Sequence, residues 1–146
     1  MIKAEFLTRL VTAELLGSKY AQLTEAFCFY SPSLRCQIMV PIDFICDYES
    51  VPLFKATSKR AGVLHDYLCR LDSLPLVTKQ QAATVYAEAQ QLRDMLYYAA
   101  RPYTRFKRFK LFYRATLRWF KTSVVRVTPG YFHKFSINAT VKDLCK

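Results

Sequence analysis

The sequence predicts an α+β fold, one domain spanning residues 1–146, mainly helical, with a small antiparallel sheet over residues 25–46 and a C-terminal hairpin. Three observations predict it. Residues 25–46 alternate at period two, as a half-buried strand pair does. Several longer stretches place apolar residues three and four apart, the helical signature. And apolar residues make up 52% of the chain, with 11 Phe and 10 Tyr, which argues against a disordered chain and supplies a core.

Taken in order, residues 4–16 read as a helix with Phe6, Leu7, Leu10, Val11 and Leu15 on one side and Gly17 as its stop. Phe27 and Phe29 then alternate with Cys28 and Tyr30, Ser31-Pro32-Ser33 turns the chain, and Cys36, Ile38 and Val40 continue. Pro41 marks an edge or bulge before Ile42–Cys46. Ser58 is a good N-cap for a helix through about Leu71, whose buried stripe is Ala61, Leu64, Leu68 and Leu71. Leu74-Pro75 breaks it. Thr78 opens the next helix, with Gln81 completing a capping box. Ala82, Val85, Ala89, Leu92 and Leu96 form its core face, and Pro102 ends it. A third helix runs from Tyr103 to about Lys121. Val124–Val127, Pro129-Gly130 and the alternating Tyr131, His133, Phe135 and Ile137 read as the terminal hairpin.

Charge is placed very unevenly. Residues 1–100 hold ten Lys/Arg and ten Asp/Glu, whereas residues 101–146 hold twelve Lys/Arg and one acid, Asp143. The whole formal charge of +11 therefore lies in a basic, aromatic C-terminal third, which points to an anionic partner. Cys28, Cys36, Cys46, Cys69 and Cys145 are odd in number and form no CxxC pair. Reduced thiols and no structural metal are expected. Glu5, Arg9 and Glu14 interrupt any leader-like apolar run, and no stretch is long enough for a transmembrane segment. The expected location is the cytoplasm on synthesis.

The most informative stretch is Val40–Arg70, where Asp43, Asp47 and Glu49 precede a short helix carrying adjacent His65 and Asp66. A titratable ring in an apolar helical pattern is costly unless it has a partner. Neighbours on a helix point about 100° apart, so the two cannot serve one atom, but they can serve two adjacent ones. As an enzyme, His65 would take a proton from water while Asp66 held a cation. Asp47 and Glu49 would orient the ring or, with Asp66, complete an oxygen-rich cation site. As scaffolding, the same histidine would be a buried group bonded to a loop carboxylate.

The pattern VP-x-D-F-x-C-D-Y-E-S-V-P, followed by HDYL, resembles the signature of an uncharacterised phage and prophage family, domain of unknown function 1353. The family form is close to VP-x-GF-x-TD-x-ASVP and then an HD-x-LY helix. Val40, Pro41, Phe44, Asp47, Ser50, Val51, Pro52, His65, Asp66, Tyr67 and Leu68 carry the resemblance. Asp43 stands where the family has Gly, Cys46 where it has Thr, and Cys69 where it has Tyr. Ala82-Ala83 falls where the family often has Ala-Asp. The resemblance implies a phage or prophage origin. More distantly, the HD dyad is similar to the helix of phospholipase A2 enzymes, which implies His65 as general base and Asp66 on calcium. The glycine-rich calcium loop and the second-helix Asp of that plan have no counterpart.

In the C-terminal third, Phe106, Phe109, Tyr113, Leu117 and Phe120 fall on one helical stripe, read as core packing. Lys107, Lys110, Arg114, Arg118 and Lys121 cover one flank. Arg101, Arg105 and Arg108 lie on the other, beside Phe112 and Trp119. The anion-binding set expected is Arg101, Arg105, Arg108, Lys110, Arg114, Arg118, Trp119 and Lys121. Nucleic acid, an anionic membrane or a neighbouring virion protein would each suit it. The leading expectation is a non-catalytic, virion-associated phage accessory protein docking an anionic partner, with no cofactor. The alternatives are a small HD-dyad hydrolase acting on lipid or ester at the host envelope, with Ca2+, and a non-specific nucleic-acid binder.

Overall fold

A computed structural model describes residues 3–15, 20–46, 58–100 and 106–127. It is α+β: six short strands followed by three helices. The strands form two antiparallel sheets. One has the order β1-β4-β5, built from β1 (Glu5–Phe6), β4 (Phe27–Ser31) and β5 (Cys36–Val40). The other has the order β2-β3-β6, from β2 (Thr12–Glu14), β3 (Ala21–Leu23) and β6 (Ile45–Cys46). Register in the β4–β5 hairpin runs from Phe27 opposite Val40 to Ser31 opposite Cys36. That register turns Phe27, Phe29, Ile38 and Val40 to the same buried face.

Helices α1 (Lys59–Leu68) and α2 (Lys79–Ala99) cover this face. Leu23, Phe27, Phe29, Ile38 and Val40 make one core with Ala61, Val63, Leu64 and Leu68 of α1 and Ala82, Val85 and Ala89 of α2. The capping box at α2 is formed: Gln81 N donates to Thr78 Oγ1 at 3.2 Å, and Thr78 N donates to Gln81 Oε1 at 2.8 Å. Ser58 is the N-cap residue of α1 but makes no side-chain cap bond. A polar clasp ties the hairpin turn to α2. Ser31 Oγ donates to Glu88 Oε2 at 2.7 Å, and Ser33 N donates to Glu88 Oε1 at 3.0 Å. Helix α3 (Lys107–Val127) folds back antiparallel along α2, with Arg114 beside Asp94 and Arg126 beside Thr84.

Several sequence expectations are corrected. Residues 4–16 are not a helix but carry β1 and β2. Phe6 stacks on Phe27 and Phe29 at 5.9 and 5.4 Å between centroids, and Leu7 N donates to Cys28 O at 3.0 Å. Pairing with a strand already in the core outweighs a short isolated helix. Strands β4, β5 and β6 do fall within residues 25–46, but β6 leaves the hairpin to pair with β3. Leu71 and Leu96, expected in buried stripes, are exposed. α1 ends at Leu68, before Leu71. Val124–Val127 is the last turn of α3 and not a strand. A β-branched run reads as strand in isolation, but here it extends a helix already nucleated. The rest of the expected hairpin, Pro129 to Ile137, lies outside the described residues.

Candidate functional site

His65 and Asp66 sit side by side in the second half of α1, both largely covered, at 17% and 19% side-chain exposure. Covering comes from α2, where the Tyr86 ring meets the imidazole edge-on at 5.7 Å between centroids. Asp66 Oδ1 is 3.8 Å from His65 Nδ1, too far for a strong hydrogen bond and close enough to act by charge. One turn on, Cys69 Sγ lies 3.5 Å from His65 Nε2. Burial is the largest influence and pushes the imidazole pKa down. The Asp66 carboxylate and the Cys69 sulfur together outweigh it and raise the pKa from 6.5 to about 9. The balance favours the protonated ring at neutral pH, with the sulfur 3.5 Å from Nε2 and 3.9 Å from Nδ1. An imidazolium can donate a proton but cannot take one from water.

Of the expected catalytic and Ca2+ set, the structure brings together only these two neighbours. Asp47 and Glu49 lie outside the described residues. Among the described residues no three His, Cys, Asp or Glu side chains converge as a cation site would require.

The described residues of the Val40–Leu68 signature are chiefly packing groups. Val40, Phe44, Tyr67 and Leu68 are buried. Phe44 and Tyr67 meet edge to face at 5.7 Å, and Tyr67 Oη accepts from Leu74 N at 3.0 Å. Beside them is an open groove of about 770 Å³, lined by Met39, Ile42, Phe44, Tyr67, Arg70 and Leu74 among others. His65 does not line it. Arg70 forks onto Asp72 with two bonds of 2.6 Å and lies 5.6 Å above the Phe44 ring. The guanidinium holds Asp72 below the ordinary carboxylate range. Sequence reading missed this pair; an Arg-x-Asp spacing at a helix end was its only signal.

Helix α3 is oriented opposite to expectation. Asp94, buried on α2, receives Arg114 Nη1 at 2.9 Å, with Arg118 and Arg93 guanidiniums at 3.6 and 3.8 Å. Arg114 also lies 4.7 Å above the Tyr97 ring. Lys121 is buried. The cationic flank of α3 thus faces α2. Most of the stripe expected to be core faces out: Phe106, Phe109, Tyr113 and Phe120 are exposed, as are Phe112 and Trp119, while Leu117 is half-buried. Lys110 stays exposed, as expected. Arg101 and Arg105 lie outside the described residues, and Arg108 belongs to α3 without a described side chain. No helix among the described residues is long and apolar enough to cross a membrane.

Set against known proteins, the chain matches no family model, no curated protein and no solved structure.

Proposed function

We propose that the protein is a non-catalytic accessory protein, of phage or prophage origin, that docks an anionic partner through its C-terminal third. One observation carries the docking: α3 turns a row of large aromatics to solvent within a segment whose net charge is +11. Contiguous exposed apolar surface in a folded domain marks an interaction site.

Two features support a scaffold role for the dyad. The imidazole pKa is raised by Asp66 and Cys69, which works against the base that the hydrolase reading needs. And the neighbouring signature residues pack the core, while His65 stands apart from the groove beside them. What supports the origin is the Val40–Leu68 signature. Asp43 adds to it, because its φ of 68° is the left-handed conformation that glycine adopts freely, at the place where the resembled family has Gly.

Thermal unfolding of His65→Ala, with and without millimolar calcium, tests the reading. Scaffolding predicts a clear loss of stability and no calcium response. A calcium shift in the wild type that Asp66→Ala abolishes would overturn it in favour of the hydrolase.

A further inference from the structure

The exposed face of α3 identifies its partner more narrowly. Resting on the docking reading above, we infer that this face lies on an anionic phospholipid bilayer, with Phe106, Phe109, Phe112, Tyr113 and Trp119 inserted at the headgroup level. Four of the five are between 69% and 71% exposed, and Tyr113 is 57% exposed. At about 100° per residue all five fall on one half of the helix. An aromatic row of this kind, with a Trp and a Tyr among the Phe, suits the boundary between headgroups and acyl chains.

Charge separates this partner from a second copy of the chain and from nucleic acid. Helix α3 contains no Asp or Glu, and Asp143 is the only acid after Asp94. Two copies meeting through this face would bring like charges together. Nucleic acid needs cations free for phosphates, yet Arg114 and Arg118 are held by Asp94 and Lys121 is buried. A bilayer asks less of the cations. Aromatic insertion supplies most of the affinity, and exposed groups such as Lys110 and Arg126 add about fivefold each near an anionic surface. The helix lies in the interface plane, since it is too polar to span.

Trp119 is the only tryptophan, so its emission reports the contact directly. The full chain would be titrated with phosphatidylcholine vesicles, with vesicles containing phosphatidylglycerol, and separately with heparin and duplex DNA. The expected result is a blue shift and co-sedimentation with the anionic vesicles, weakened by salt and absent with phosphatidylcholine alone. Phe109→Ser with Phe112→Ser, both at exposed positions that leave the core intact, should weaken vesicle binding about tenfold per residue. Acrylamide should quench Trp119 readily in the free protein and poorly on vesicles. Binding to heparin or DNA but not to vesicles would overturn the lipid assignment and leave anionic docking standing. Binding to none of the four would overturn both. Equal binding to neutral and anionic vesicles, no effect of the double serine variant, or a dimer that already shields Trp119 would each overturn the inference.

Discussion

Stability should fall as the solution is made alkaline, because of His65. Its folded pKa of about 9 stands above the unfolded value of 6.5. The folded state therefore holds a proton that the unfolded state has released, and between those values unfolding is linked to proton loss. The stabilisation is complete below pH 6.5 and is lost as pH rises through about 9. A difference of that size corresponds to about 3 kcal/mol. For a chain of this length that is on the order of 10 °C in Tm.

The assay is urea unfolding of wild type and His65→Gln from pH 6 to pH 10. The difference between the two isolates this histidine from the lysines and tyrosines that titrate nearby. Wild type should lose its advantage over His65→Gln across the window. A difference that is flat, or that grows with pH, would mean the folded imidazole is neutral. The reasoning that removes His65 as a base would then fail.

Three further outcomes are expected. Asp94→Asn should destabilise by about 2 kcal/mol in chemical unfolding, less than for a fully buried pair because the three arginines keep partial access to water; it should also raise α3 amide exchange. Asp43→Ala should be about 1 kcal/mol less stable than Asp43→Gly, since both lose the bond from Gln22 Nε2 at 3.0 Å but only alanine resists φ 68°. Glu88→Ala should cost about 1–3 kcal/mol by removing the carboxylate that accepts from both Ser31 Oγ and Ser33 N.

What was legible in the sequence was what local chemistry decides. The Thr78–Gln81 capping box needs only residues three apart, and it forms as read. The period-two run around Phe27 and Ile38 needs only its own alternation, and it gives the β4–β5 hairpin. Residues 4–16 failed because Phe6 and Leu7 are apolar in a spacing that fits either element. The choice is made by Phe27 and Phe29, some twenty residues away. At the site, adjacency placed His65 beside Asp66, but its protonation depends on Cys69, one turn on, as well as on Asp66. In the sequence, Cys69 stands out only as one of five thiols and as a departure from a family pattern.

The reversal of α3 follows from one residue that periodicity does not weigh. A wheel of α3 shows an apolar stripe and basic flanks, and by itself favours burying the stripe. Asp94 changes the comparison, because a buried carboxylate without partners costs several kcal/mol and α3 carries the cations that satisfy it. Turning those cations inward takes the aromatics outward, since the two faces lie on different sides of one helix. Each large aromatic left in water forgoes about 1.5–3 kcal/mol, so the exposed row outweighs what one ion-pair cluster returns. Such an orientation is favourable overall when something covers the row. The cover must be apolar enough to take up five rings, and negative enough to tolerate a segment of net charge +11. An anionic bilayer meets both requirements, whereas bare phosphate meets only the second.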